Sequence, residues 1–263
     1  MNATIHLRGR ILLVEDGADN QRLLRMQLSS AGGSVVSALN GQIALDLATS
    51  QPFDLILMDM QMPVMDGYAA TIELRRRGLT MPIIALTAYA LAEDRDRCIS
   101  SGCDAYLSKP VAEEELLEAV NHYLGICVPD ERAGEGIARL TSSVDADHRS
   151  DCIRSSLRDD PRMTEITGEF VESLPGQVRK MLDFLEQRDL LGLQSIVHDL
   201  AGSAGGYGFA PITQPARRSE QSMRAHDALE HVAVQINSMI KLVRRIEGYD
   251  ESKELAVAEK LEE

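Results

Sequence analysis

The first half of the chain alternates short apolar runs with amphipathic segments. The apolar runs lie at residues 11–14, 35–38, 55–58, 83–86 and, more weakly, 105–107. Apolar residues recur at helical spacing near 18–31, 41–50, 67–77, 91–101 and 112–124. Several runs are continuous rather than alternating, which is typical of strands covered on both faces of a parallel sheet. The pattern therefore predicts a doubly wound α/β domain with a five-stranded parallel sheet.

The second half of the chain has a different character. From 127 to 150, Pro, Gly, Ser and charged residues follow no sustained period, so this segment is predicted to be a linker. From 151 to 248 the strand signals disappear and apolar residues recur at helical spacing, which predicts an all-α four-helix bundle. The end of the chain, 249–263, is rich in Ala, Glu and Lys and is predicted to be a frayed tail.

Composition excludes several kinds of partner. The net charge of -14 argues against a nucleic-acid surface, because binding to phosphate backbones depends on clustered Lys and Arg. No stretch approaches the roughly 18 apolar residues of a membrane span, so we expect no membrane contact by this chain. The four cysteines show no metal-ligand spacing and are expected to be reduced thiols. Together these features predict a cytoplasmic protein.

Acidic side chains follow two of the predicted strands. Glu15 and Asp16 come after the first strand, and Asp59 comes after the third. Because grouped carboxylates repel one another, a hard divalent cation is the natural compensation, and Mg²⁺ prefers oxygen ligands. That cation would also neutralise the charge of a phosphoryl group at Asp59. Thr87 and Lys109 follow the fourth and fifth strands, so a hydroxyl and an ammonium group are expected at the same edge.

The first half resembles the receiver domain of bacterial response regulators. The matching segments are "ILLVEDGADN", "DLILMDMQMPVMDG", "PIIALTAYA" and "DAYLSKP", in an order and spacing that are highly specific. The resemblance implies a flavodoxin-like domain over 8–126 with Asp59 as the phosphoacceptor. It also implies that Asp16, Asp59 and the backbone carbonyl of Gln61 are Mg²⁺ ligands, with Glu15 completing the acidic pair.

The same resemblance implies roles for the other residues of this site. Thr87 and Lys109 would hold phosphoryl oxygens, and Tyr106 would be the aromatic switch that turns inward when Thr87 moves. Gln61 and Tyr89 occupy the two positions that flank the path of the hydrolytic water in this family. A bulky Tyr89 could screen that water and prolong the acyl phosphate, although packing against the fourth helix is an equally good interpretation.

His198 lies on a predicted helix in the second half. The apolar stripe of that helix consists of Leu193, Ile196, Val197, Leu200 and Ala204. At about 100° per residue His198 points away from the stripe, so its ring is predicted to face solvent. Gly202 and Gly205 share the face of His198, although each glycine costs a helix about 1 kcal/mol relative to Ala. The pattern indicates that another molecule or domain must approach the backbone closely at this histidine.

The segment "HDLAGSAGGYGF" resembles the signature of the histidine phosphotransfer domain, a four-helix bundle, and the likeness extends over about 151–248. It implies that His198 accepts a phosphoryl group. The sequence departs from the family at Ala201, where a Lys usually steadies the phosphoryl oxygens. This departure leaves phosphohistidine less stabilised or leaves the task to another base, such as Arg217 or Arg218. A degenerate module that binds partners without accepting phosphate also stays open.

The two resemblances together imply a two-component phosphorelay protein, as in the C-terminal part of hybrid sensor histidine kinases. An upstream sensor histidine kinase would transfer a phosphoryl group to Asp59, and His198 would exchange that group with another receiver protein. No nucleotide-binding kinase signature is present, so the chain is expected to be a carrier and not an enzyme. One alternative is a phosphorylation-gated regulator with a helical binding or sink domain. An Asp-dependent phosphatase is disfavoured by Gln61, where that class carries a second Asp. A homodimer through the fourth and fifth helices is a further expectation.

Overall fold

The computed structural model describes residues 5–88, 92–125 and 152–256. Five strands form one parallel sheet in the order β2-β1-β3-β4-β5. They are β1 (Arg10–Val14), β2 (Ser34–Ala38), β3 (Leu55–Asp59), β4 (Ile83–Thr87) and β5 (Ala105–Ser108). The helices between and after them are α1 (Ala18–Ser30), α2 (Gly41–Ser50), α3 (Gly67–Arg76), α4 (Ala92–Ser101) and α5 (Glu113–Gly125). The predicted doubly wound α/β fold is confirmed.

Helices cover both faces of the sheet, which explains the continuous apolar runs. Alternate residues of β1 and β3 point into two separate hydrophobic clusters. One cluster contains residues of α2, α3 and α4, and the other contains residues of α1 and α5. Every residue of β3 and β4 is therefore buried.

The strand order brings the acidic residues together. In the sheet β1 lies between β2 and β3, so β1 and β3 are direct neighbours. The carboxyl ends of these parallel strands lie at one edge, where ligands bind in doubly wound folds. Glu15 and Asp16 follow β1 at this edge, and Asp59 is the last residue of β3.

Residues 152–256 form four helices and a short fifth one. They are α6 (Pro161–Gln187), α7 (Leu190–Ser203), α8 (Ala210–Arg224), α9 (Leu229–Val243) and α10 (Ser252–Ala256). Asp160 and Asp189 start α6 and α7 as N-caps, each accepting a hydrogen bond from a backbone N–H of the first turn. Apolar residues of α6, α7, α8 and α9 form one core. The predicted helical bundle is confirmed.

The linker predicted at 127–150 lies outside the described residues. The tail predicted at 249–263 is described as far as 256, where it includes the short helix α10. Glu254 in α10 is buried, and both of its carboxylate oxygens accept hydrogen bonds from Arg244. A partly buried ion pair holds this end of the described chain against the bundle.

The two domains contact each other through α1, which packs against α6 and α7. Leu23 of α1 is buried within the hydrophobic core of the helical domain. Around it, Gln177 donates a hydrogen bond to the carboxylate of Asp19 (2.9 Å), and Arg22 forms an ion pair with Glu169 (3.0 Å). Because α1 starts directly after the acidic residues, this contact places the acidic edge of the sheet against α7.

Candidate functional site

The carboxylates predicted at the sheet edge form one cluster. Glu15, Asp16 and Asp59 each offer an oxygen within 4.8 Å of the others. Glu15 and Asp59 are fully buried, and Nζ of Lys109 lies 2.7 Å from Glu15 Oε2 and 2.6 Å from Asp59 Oδ2. Burial raises the pKa of Glu15 to about 8, although Lys109 opposes this change. Burial and the charge of Asp59 also raise the pKa of Asp16. One ammonium group therefore does not balance the three carboxylates.

The donor set fits a magnesium ion. Oxygen is the only donor type in the cluster, as Mg²⁺ requires. Oδ1 of Asp16 is buried and has no hydrogen-bond partner among the described residues. The backbone N–H of Gln61 donates to Asp59 Oδ1 (3.0 Å), which places the Gln61 backbone beside the cluster.

Three more residues were predicted to act at this edge of the sheet, namely Thr87, Tyr106 and Tyr89. Thr87 is buried at the end of β4, and its carbonyl accepts a hydrogen bond from the backbone N–H of Lys109 (2.7 Å). Tyr106 is half-buried on β5, and the guanidinium group of Arg95 lies 5.8 Å from its ring centroid. Tyr89 lies outside the described residues, so its proposed effect on the hydrolytic water stays a prediction.

The prediction that His198 faces solvent is wrong, because its side chain is only 10% exposed. Its Nδ1 lies 3.0 Å from Oε1 of Glu220, on the neighbouring helix α8. An ionised carboxylate can only accept a hydrogen bond, so this contact places a proton on Nδ1. Nε2 is buried and has no hydrogen-bond partner among the described residues. The ring is therefore held in one orientation with a free lone pair on Nε2.

The face of α7 that was predicted to be open is covered by the α/β domain. A Cβ at Gly202 would lie 2.8 Å from Asn20 Nδ2, and a Cβ at Gly205 would lie 2.6 Å from Pro110 Cγ. The expected close approach to the glycines is found, and it is made by the chain's own first domain. Helical periodicity gives the direction of a side chain from its own helix but cannot show that another domain packs there.

Comparison with known families agrees with both halves of the structure. Residues 11–121 match the family model of the response regulator receiver domain. Residues 165–246 match the model of the Hpt domain. The chain is a receiver domain followed by an Hpt domain.

Several known proteins are similar to this chain. Sensor histidine kinase GacS of Pseudomonas protegens is 30% identical over 233 residues, which cover 86% of this chain and 25% of that protein. Sensor histidine kinase RcsC of Escherichia coli is 43% identical over 113 residues, which cover 43% of this chain and 12% of that protein. The solved receiver domain of sensor histidine kinase PA1611 from Pseudomonas aeruginosa is 42% identical, with a TM-score of 0.43, over 45% of this chain and 99% of that one. The chain thus spans a quarter or less of these curated relatives.

These matches decide between the predicted functions. A receiver and an Hpt domain in one chain, with hybrid sensor kinases as relatives, identify a phosphorelay protein. The regulator and phosphatase alternatives are not favoured. Neither matched domain is a kinase module. None of the helices in the described part of the chain is both long and apolar enough to cross a membrane.

Two residues of the Hpt domain that surround His198 were not predicted from the sequence. Glu220 is buried, and Arg224 donates a hydrogen bond to its Oε1 (2.9 Å). His198 and Arg224 hold the pKa of Glu220 below its ordinary value even though burial opposes this. A signal was present, because Ile212, Ala216 and Glu220 follow one another at intervals of four on α8. A carboxylate within such an apolar stripe indicates a buried polar partner.

Ala201 stands at the position where the Hpt family usually carries a lysine. Ala201 is buried in the core of the Hpt domain, and this position supplies no charge. Arg224 lines the cleft that also contains His198 and Asp16. It is therefore a better candidate than Arg217 or Arg218 for a base near the phosphoryl group.

Asp199 adds another carboxylate to the boundary between the domains. Its Oδ1 lies 3.0 Å from the position that a Cβ of Gly17 would occupy, directly after Asp16 in the receiver domain. Burial and the nearby charge of Asp16 raise the pKa of Asp199 to about 7. The acidic character of the receiver site thus continues into the Hpt domain.

Proposed function

We propose that Asp59 accepts a phosphoryl group and exchanges it with His198 of the same chain. The observation that supports this most strongly is that Asp16, a member of the carboxylate cluster of Asp59, lines the same cleft as His198. Asp16 and Gln61 line one side of this cleft, and His198 and Glu220 line the other. Because the two acceptors are held by docked domains, transfer within one chain needs no encounter between molecules.

In this proposal Asp16, Asp59 and the backbone carbonyl of Gln61 hold Mg²⁺, and Glu15 lies beside them. When bound, the cation would neutralise charge on the phosphoryl oxygens. Lys109 would form an ion pair with a phosphoryl oxygen, and the hydroxyl of Thr87 would donate a hydrogen bond to another. Both side chains lie at the carboxyl edge of the sheet, Thr87 at the end of β4 and Lys109 after β5.

The transfer step exchanges one high-energy bond for another. The lone pair of His198 Nε2 forms the new N–P bond while the P–O bond to Asp59 breaks. The electron pair of that bond returns to Asp59, which becomes a carboxylate again. The proton on Nδ1 stays in its hydrogen bond with Glu220, whose negative charge stabilises the positive charge that develops on the ring. The reverse step uses the same groups, so the geometry supports transfer in both directions.

A labelling experiment tests this function. The chain is incubated with labelled acetyl phosphate and Mg²⁺, and the label is then tested for stability in acid and in base. Phosphohistidine is the base-stable, acid-labile fraction. We expect this fraction in the unmodified chain and its loss in Asp59→Asn and in His198→Gln. His122→Gln, at an exposed position on α5, is the matched control.

Two results would contradict the proposal. The first is base-stable label that persists in Asp59→Asn, because the histidine would then be loaded without the receiver. The second is label confined to Asp59 in the unmodified chain, which would favour a regulator. Turnover of unrelated phosphomonoesters would instead favour a phosphatase.

The proposal includes partners outside this chain. A sensor histidine kinase would supply the phosphoryl group, and a separate receiver protein would exchange it with His198. The chain itself would be a carrier and not an enzyme, and we propose that it acts in the cytoplasm. A homodimer of the chain stays a prediction.

A further inference from the structure

The face of the Hpt domain around His198 is already occupied. We define the histidine surface as His198, Gly202, Gly205 and Gly206. Asn20 lies against Gly202, Pro110 lies against Gly205, and a side chain of α1 lies against Gly206. Any other receiver that brings an aspartate to Nε2 of His198 must contact this same surface. The chain's own receiver domain therefore has to leave before a second receiver can dock.

Gly206 is in contact with Leu23 of the receiver domain. A Cβ at Gly206 would lie only 2.4 Å from Leu23 Cδ2, a separation that real Cβ atoms do not show. Leu23 cannot simply move aside, since it is 3% exposed and belongs to the core cluster of the Hpt domain. Because Gly206 has no side chain, it leaves the space that the side chain of Leu23 occupies.

Polar contacts fix the depth at which Leu23 enters. The hydroxyl of Tyr207, the residue after Gly206, donates a hydrogen bond to the backbone carbonyl of Asp19 (3.0 Å). The carboxylate of Asp19 accepts a hydrogen bond from Gln177 (2.9 Å). Asp19 and Leu23 are one helical turn apart on α1, so both face the Hpt domain together.

From these contacts we propose that the fit of Leu23 against Gly206 selects the chain's own receiver domain as the occupant of the histidine surface. This inference rests on the function proposed above and adds a condition on which receiver domain can reach His198. Transfer between Asp59 and His198 occurs while Leu23 is seated, and exchange with a separate receiver occurs only after Leu23 has left. A receiver with a smaller side chain at this position would fit an Hpt domain with a larger one at position 206.

Two versions of the full chain test this selection. The recipient carries Asp59→Asn, so that His198 is its only acceptor. The donor carries His198→Gln and is phosphorylated on Asp59 with acetyl phosphate and Mg²⁺, after which the excess is removed. Transfer is measured as base-stable label on the recipient. Each recipient is tested with and without Gly206→Ala, and each donor with and without Leu23→Ala.

The added methyl group of Gly206→Ala should exclude every receiver that carries Leu23, including the recipient's own. With this recipient, we expect the Leu23→Ala donor to transfer about tenfold faster than the donor with Leu23, because overpacking of this size is worth about one order of magnitude. The same pair should also exceed the rate of the pair with neither substitution, since the recipient's own receiver no longer covers His198. Gly168→Ala is the matched control, because a Cβ there would have no neighbour within 4 Å. A recipient with Gly168→Ala should accept label at the same rate as a recipient without that substitution.

Equal rates from the two donors on a Gly206→Ala recipient would overturn this inference, at whatever level those rates lie. The circular dichroism spectrum of the Gly206→Ala recipient must match that of the recipient with Gly206, which shows that it is folded. A folded Gly206→Ala recipient that accepts label from neither donor also contradicts the inference. The labelling of the unmodified chain separates the two proposals. If its phosphohistidine never forms, the transfer function fails, whereas equal donor rates with normal phosphohistidine affect only the selection by Leu23.

Discussion

Nδ1 of His198 lies 3.0 Å from Oε1 of Glu220, within a site that both domains bury. This single contact determines which nitrogen carries the proton and which one is free to react. It also shifts the pKa of the ring. Burial by itself lowers the pKa of His198, but the hydrogen bond that the ring donates to Glu220 reverses this, and the pKa is raised overall.

We expect Glu220→Gln to lower the pKa of His198, because burial then acts without an opposing negative charge. Transfer from Asp59 to His198 should slow by roughly a hundredfold, the low end of what charge stabilisation supplies at active sites. NMR titration of the imidazole and the rate of phosphohistidine formation measure the two effects. Glu230→Gln, at an exposed position of α9, is the control. An unchanged His198 titration would show that Glu220 only packs against the ring.

Lys109→Met should destabilise the receiver domain by about 3 kcal/mol, because the buried carboxylates of Glu15 and Asp59 lose their positive partner. Mg²⁺ should restore part of this loss, since it supplies positive charge to the same oxygens. Urea denaturation with and without Mg²⁺ measures the difference. The exposed substitution Lys180→Met should show no such dependence. A loss of equal size in both conditions would argue against Mg²⁺ binding at this cluster.

Glu254→Gln should cost about 2 kcal/mol near pH 7, in the range of hydrogen bonds to charged groups. Glu254 is 8% exposed and bonded to Arg244, which holds its pKa below the ordinary value of 4.5. A carboxyl with a lowered folded-state pKa contributes stability above the unfolded pKa and loses it as pH falls. The difference from the unmodified chain should therefore shrink below about pH 4.5 in urea denaturation.

Glu247→Gln provides the comparison for that prediction. Glu247 pairs with Arg154, but both side chains are more than half exposed, so its loss should have little effect. A pH-independent effect of Glu254→Gln would instead indicate that the substitution disturbs the packing of α10.

Val64→Asn should stabilise the receiver domain by about 1 kcal/mol, because a β-branched residue is strained in the left-handed region and Asn is tolerated there. Val64 has φ 70° and its side chain is 85% exposed, so no packing is lost. Thermal unfolding of the receiver domain measures the gain. Val234→Asn, at another exposed valine within helix α9, should not stabilise. A loss of stability at position 64 would mean that the valine makes contacts that offset its backbone strain.

The sequence by itself determined the sheet, its helices and the acidic cluster. Strands buried on both faces must be apolar along their whole length, and the residue that follows such a strand lies at a predictable edge of the sheet. Glu15, Asp16, Asp59 and Lys109 were therefore identifiable from short-range pattern alone. Gly202 and Gly205 beside His198 were predicted to mark a close approach, and Asn20 and Pro110 make that approach.

The tertiary structure alone decided the environment of His198. Its burial depends on Glu220 from the next helix and on Asn20 and Pro110 from the other domain, which are far away in the sequence. Helical periodicity describes one helix and carries no information about which domain packs on its polar face. The contact of Leu23 with Gly206 has the same origin, because it requires two domains to be placed with an accuracy that only packing provides.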